Sequence, residues 1–304
     1  MQNLEEFEGA LGSETKFHRQ IFPPTGIRRL VVGDTISKDR LLAICSSAPN
    51  LEYIECRRVV SWDSFHVPRG PFPSVRVLRL AIEGSLNDNL TCFPNVEEFY
   101  LQVPAQSLSL IESLKLPDEW RNLKRLGICN TLRLHEIILP SDVTLSSLEL
   151  RNLPSLRSWR ASSTFSAALE VLNIEYVGGI NSRDLRLFRG PRQHLQHLTL
   201  KSTQFQVTDL VAFLAGAADL EYLNINSMAN VTDSTLELLY PLKSLSYLDV
   251  GFCGEITGHG IINLIQNLGP RKGGNLRVIE IQELEQIRRQ TIDWARSVGV
   301  RLCY

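Results

Sequence analysis

Few side chains in these 304 residues stand at spacings that could do chemistry. His194-x-x-His197 is the one close histidine pair, a spacing that invites a metal. It falls on a segment that reads as a strand, where alternation sends the two imidazoles to opposite faces, so they cannot converge on one ion. The run Ser61-Trp62-Asp63-Ser64-Phe65-His66 holds the residue types of a hydrolytic triad, but no G-x-S-x-G elbow accompanies it. Glycines 251, 254, 258 and 260 fit neither the dinucleotide fingerprint nor a phosphate loop. Cys45, Cys56, Cys92, Cys129, Cys253 and Cys303 are scattered singly, with no C-x-x-C pair, unlike a disulfide framework or a thiolate metal site. A nucleophile, a base and an orienting group are nowhere assembled, so no enzymatic activity, cofactor or metal is expected.

Charge narrows the partners. Lys and Arg total 32 against 33 Asp and Glu, a net charge of -1, whereas nucleic-acid and anionic-membrane binders draw affinity from a basic excess. The longest apolar run, Leu210 to Ala218, is too short to span a bilayer. No nucleic acid and no membrane is therefore expected as a partner. The scattered cysteines point to a reduced compartment, cytoplasmic or nuclear, in which the sequons at Asn89 and Asn230 are accidental.

Internal repetition sets the architecture. A segment L-x-x-L-x-L, with aliphatic residues or Phe at the L positions, begins at Ile27, Leu51, Val75, Val96, Leu123, Leu145, Leu169, Leu195, Leu220, Leu245 and Leu276, with a weaker copy at Leu4. The spacing averages about 25 residues, inside the leucine-rich-repeat window. Alternation within each segment predicts a half-buried strand. Ser37, Thr232 and Thr257 each precede an apolar stripe of helical spacing, as helix N-caps do. Each unit thus reads as strand, turn and helix, and none can bury its apolar face alone. The expected fold is α/β: a leucine-rich-repeat solenoid or horseshoe of about twelve repeats, parallel sheet on the concave face, helices and irregular turns outside. From Val96 to Leu169, Pro104, Pro117, Pro140 and Pro154 predict short turns or extended stretches in place of full helices. Gly269 to Gly274 reads as a polar loop insertion. Residues 1–304 are expected to form one repeat domain, closed by a C-terminal helix and last strand over 283–304. The chain opens inside a repeat strand, so a cap or a further module is expected upstream of Met1.

Finer detail carries a resemblance. Cys253 stands ninth in its repeat and leads into Gly254-Glu255-Ile256-Thr257; Met228 leads into Val231-Thr232-Asp233, and Val177 into Ile180-Asn181-Ser182. This C-x-x-I-T-D form resembles the cysteine-containing class of leucine-rich repeat. Within that class the chain is similar to the repeat domains of F-box/leucine-rich-repeat proteins, the substrate receptors of cullin-RING ubiquitin ligases in SCF complexes. No F-box is read in residues 1 to 26. The resemblance implies a protein substrate on the concave or C-terminal face, and a ligase adaptor docked through a segment upstream of this chain. The alternatives are a free-standing signalling scaffold without ligase association, or a GTPase-activating regulator that offers an arginine.

Positions three, five and seven of each strand should line the concave face. There the expected partner-binding residues are Tyr53, Arg57, Arg79, Tyr100, Arg125, Arg151, His197, Tyr222, Asn224, Tyr247 and Asp249. Tyr222 and Tyr247 fall in phase on adjacent repeats. Such tyrosines suit an interface hot spot, and equally suit covering neighbouring strands. Phe252 and Met228 would extend the patch if exposed.

Overall fold

The computed structural model describes residues 5–9, 26–60, 70–84, 86, 89–104, 110–162, 165–178, 194–202 and 205–304. Leu4 itself, the run Ser61 to His66 and the stretch Ile180-Asn181-Ser182 lie outside the described residues; the strand of the weak first repeat is described.

Each L-x-x-L-x-L segment buries its aliphatic positions. Leu51, Ile54 and Cys56 are at most 2% exposed, and Leu245, Leu248 and Val250 are fully buried. Two compact units result. The first, residues 1–145 and 152–165, contains β1 (Glu6–Gly9), β2 (Arg29–Ser37), α1 (Lys38–Ser47), β3 (Tyr53–Val60), β4 (Val77–Ile82), β5 (Glu98–Gln102), β6 (Ser113–Lys115), β7 (Arg125–Cys129) and β8 (Glu136–Ile138). Strand β9 (Ser147–Leu153) begins in the second unit, and β10 (Ser158–Arg160) belongs to the first. The second unit, residues 146–151 and 166–304, continues with β11 (Val171–Val177), β12 (His197–Lys201), α2 (Val207–Leu214), β13 (Tyr222–Asn224), α3 (Asp233–Glu237), β14 (Tyr247–Asp249), α4 (Gly258–Leu268), β15 (Val278–Glu280), α5 (Arg289–Ser297) and β16 (Arg301–Cys303). Thirteen strands form one parallel sheet in the order β1-β2-β3-β4-β5-β7-β9-β11-β12-β13-β14-β15-β16. The expected α/β leucine-rich-repeat architecture is thereby met, and α5 and β16 are the last helix and strand of the chain.

The proline-interrupted stretch is extended in place of helical, as expected, and its extended segments also pair with one another. In place of helices, β6, β8 and β10 pair in parallel as a second, three-stranded sheet, with Ser113 and Ser158 both registered on Glu136. Leu114 and Ile137 point into the core.

Where helices do form, their starts are those the hydroxyls mark. Ser37 Oγ accepts from Arg40 N at 3.3 Å, Thr235 Oγ1 accepts from Thr232 N at 3.1 Å, and Thr257 Oγ1 accepts from His259 N at 3.1 Å. The acidic residue of the signature has a further role. Asp233, at the start of α3, accepts from Thr257 N at 2.8 Å and from the Thr257 hydroxyl at 2.6 Å, so one repeat caps the helix of the next. Gly260 leaves room for this, because a Cβ there would collide with the Asp233 carboxylate.

One backbone feature recurs without a glycine to announce it. Asn130, Asn152, Tyr176, Ser202, Ser227, Phe252 and Glu283 have φ between 52° and 60°, and each is the eighth residue of its repeat. Left-handed backbone at these side chains costs about 1–2 kcal/mol relative to the ordinary conformations. The turn is held because its amide reaches the next repeat: Ser227 N bonds Gly251 O at 2.9 Å and Phe252 N bonds Gln282 O at 2.8 Å. The first repeats lack this turn, and β2 and β3 run on past it through register shifts between Val32 and Thr35 and between Cys56 and Val59.

Removing the inter-repeat cap is a direct test of the link. Asp233→Ala should lower unfolding free energy by about 1.5–3 kcal/mol, since two hydrogen bonds to a charged group are lost, while Asp233→Asn retains part of it. Urea titration of the three proteins measures both.

Candidate protein-binding face

The open face of the sheet carries positions three, five and seven, and the expected site residues all occur on it. In the first unit they are tied to one another. The Arg29 guanidinium lies 3.9 Å from the Tyr53 ring centroid, with Arg79 at 5.8 Å. The Tyr53 hydroxyl donates to Glu55 Oε2 at 2.5 Å. Burial first, and then the bonded Glu55, push the Tyr53 phenol up from its ordinary pKa. Arg79 Nε donates to Glu98 Oε1 at 2.8 Å, and Arg125 Nη1 reaches Glu98 Oε2 at 3.4 Å. Arg79 and Arg125, expected as partner contacts, are therefore the two cations of one carboxylate. Arg57 is exposed on β3.

Position two carries a parallel row in which sign alternates from strand to strand: Arg28, Glu52, Arg76, Glu97, Lys124. Its ion pairs measure 3.9 Å for Arg28 to Glu52, 2.8 Å for Arg76 to Glu97 and 3.2 Å for Lys124 to Glu97. Hydrogen bonding to Lys124 and Arg76 holds the Glu97 carboxyl below the usual range.

Tyr100 is half-buried because its ring lies on Gly127 of the next strand, where any Cβ would overlap the ring; its hydroxyl is 3.0 Å from Cys129 Sγ. Its role in the first unit is therefore at least partly packing. That close approach is what the glycine allows.

In the second unit, Arg151 Nε sits 3.0 Å from Glu149 and 3.7 Å from Glu175. Beyond it, the position-three residues pair in register, His197 with Tyr222 and Tyr222 with Tyr247. The tyrosine rings stack, centroids 4.5 Å apart at an interplanar angle of 6°, and the His197 ring lies beside Tyr222 at 5.7 Å, tilted by 37°. Burial, with Tyr222 next, pushes the Tyr247 phenol well up from its ordinary pKa, so it remains a neutral hydroxyl. Asn224 and Asp249, at position five, each fold back on their own turn. Asn224 Oδ1 accepts from Asn226 N at 3.0 Å; Asp249 Oδ1 accepts from Gly251 N at 2.9 Å and Asn226 Nδ2 at 3.1 Å. Phe252 is 47% exposed and Tyr176 51%, both at the left-handed turn position, whereas Met228 is core.

Glu280 escaped the site set although its signal was present. It is position five of the Leu276 repeat and pairs in register with Asp249.

Five of the six cysteines are buried. Cys253, ninth in its repeat, is fully buried, with Sγ 3.4 Å from Ile225 O of the preceding repeat. That contact gives the signature cysteine its physical use, a small side chain with a weak donor that answers a buried carbonyl. Burial pushes the thiols of Cys56 and Cys92 up to about 12 and that of Cys253 to about 11, and Cys45 is also raised. Among the described residues, no group of three or more His, Cys, Asp or Glu could hold a metal, and no helix is long and apolar enough to cross a membrane.

In class this is a leucine-rich-repeat fold with an open, mixed-charge sheet face. No family model and no curated protein matches the chain. Among solved structures it is similar to a chain of the crystal structure of the Rad7 and Elc1 complex in yeast, at 15% identity and a TM-score of 0.40, covering 83% of this chain and 80% of that one.

The thiols provide a probe of this packing. Because folding raises their pKa values, their neutral forms add stability that is complete below the ordinary thiol value of 9.0 and is lost as pH rises from there towards 12. Native protein at neutral pH should react with a thiol reagent quickly at Cys303 alone, the one cysteine that is not buried, and at all six in denaturant. The urea midpoint should fall between pH 9 and 11, less so in a Cys56→Ala, Cys92→Ala protein.

Proposed function

We propose that this chain is a non-enzymatic protein-interaction module, the substrate-recognition repeat domain of an F-box-type receptor of a cullin-RING ubiquitin ligase. The observation that carries the binding part is the stacked Tyr222 and Tyr247 pair, half-buried on the open face between exposed His197 and the carboxylates of Asp249 and Glu280. Flat tyrosines offer large contact area, few rotors to freeze and a polar tip, the properties of interface hot spots. Support for the receptor part comes from the repeat signature: Cys253 bonded across the repeat, and Asp233 joined to Thr257, account physically for the C-x-x-I-T-D form of the resembling class. In this reading the ligase adaptor is held outside the repeat face.

Affinity capture with the full-length protein, wild type against Tyr222→Ala plus Tyr247→Ala, tests both parts. The double variant should weaken capture of the substrate by about thirtyfold, the scale of an interface hot spot of about 2 kcal/mol, and leave the adaptor bound. Its melting temperature should change little. A large drop in melting temperature would show the tyrosines to be strand cover, and capture without any ligase adaptor would favour a free-standing scaffold.

A further inference from the structure

We propose that the strip formed by Tyr222, Tyr247, Asp249 and Glu280 receives an arginine or lysine side chain of the bound protein, so that the partner offers this face a basic segment. The inference rests on the protein-binding reading above and adds the partner's chemistry.

Two observations converge on it. The first is where internal neutralisation stops. Glu98 meets Arg79 and Arg125, and Glu149 and Glu175 share Arg151. Asp249 and Glu280 occupy equivalent face positions, in register on adjacent strands, yet no Lys or Arg among the described residues makes an ion pair with either. Like charges placed directly across neighbouring strands disfavour the sheet unless a cation intervenes.

The second observation is a template within the same chain. Tyr53 and Glu55 stand at positions three and five of one strand, as Tyr247 and Asp249 do in theirs. At the first pair the neighbouring strand supplies Arg29, whose guanidinium stacks on the ring at 3.9 Å. At the second, the preceding strand supplies Tyr222 instead, doubling the aromatic surface and leaving the cation to come from elsewhere. Asp249 lies two residues beyond Tyr247 on the same strand face and Glu280 is the register partner of Asp249, and both carboxylates act on the Tyr247 phenol after burial and Tyr222. His197 and Arg301, at the two ends of this position-three row, bound the strip to about 19 Å, four strand spacings. Arginine should be preferred to lysine, because a planar guanidinium can stack on the rings and bridge two carboxylates together.

The test uses fluorescein-labelled Gly-Ser peptides carrying spaced arginines, lysines or glutamates, titrated into the full chain by fluorescence anisotropy at low and physiological salt. Binding should rank arginine over lysine, with none for glutamate, and weaken with salt. The Asp249→Asn, Glu280→Gln protein, which keeps the Asp249 acceptor for Gly251 N, should bind the arginine peptide at least tenfold more weakly. Glu149→Gln should bind as wild type. Equal binding of the arginine peptide by the doubly neutralised protein, or of the glutamate peptide by wild type, overturns the proposal. Failure of every peptide to bind also overturns it. If capture of the whole partner still depends on Tyr222 and Tyr247 in that case, the protein-binding reading stands and only the basic segment is wrong; if that dependence is absent too, the reading itself fails.

Discussion

Parallel pairing in register fixes the position of every side chain on the open face. Tyr222 meets Tyr247 because Leu223 pairs with Leu248, and Asp249 meets Glu280 because Leu248 pairs with Ile279. Those aliphatic partners are fully buried, and a slip of one residue would drive them to the open face and the tyrosines inward. Register is thus enforced by the core and read out by the face. The arrangement leaves positions three, five and seven free to vary in chemistry without disturbing the pairing that aligns them, and a binding surface on a repeat fold requires that freedom.

Short strands place a burden on the turns. Strands β13 to β16 have three residues each, so little ladder holds one repeat to the next. The missing hydrogen bonds are found beyond the strands: the left-handed residue at position eight donates to the next repeat, and Asp233 and Thr257 join helix to helix. Bonding across the repeat boundary offsets the conformational cost at Phe252, which a lone turn would not sustain. The exposed Phe252 ring is a product of that backbone constraint first, whatever else it contacts.

The fold was legible because aliphatic residues at three positions of a short segment, repeated at near-constant spacing, have few other uses. Ser37, Thr232 and Thr257 marked helix starts because an N-cap hydroxyl acts through local geometry. The second sheet was missed although its signal was present: Ile111-x-x-Leu114-x-Leu116 and Leu134-x-x-Ile137-x-Leu139 repeat the same aliphatic segment out of step with the main period, and the prolines near them argue against structure. The left-handed turns were hidden for a different reason. Serine, phenylalanine and glutamate do not signal a positive φ, and only the tertiary hydrogen bond selects it. For the face, phase could be read and pairing could not. Arg79 and Arg125 were recognisable as face residues, but their joint commitment to Glu98 depends on rotamers of three side chains on three strands.

That commitment alters what the near-zero net charge means. Exposed ion pairs of this kind contribute about 0–1 kcal/mol each, so the alternating row from Arg28 to Lys124 is a weak source of stability. Its larger effect is to silence charge: a guanidinium shared with Glu98 presents a smaller field to a partner than a free one. The composition is balanced overall, but the balance is made by local pairs in some repeats and is absent at Asp249 and Glu280. A binding face is defined by what its own chain leaves unneutralised, and on strands β14 and β15 that is a pair of carboxylates in register beside two stacked rings.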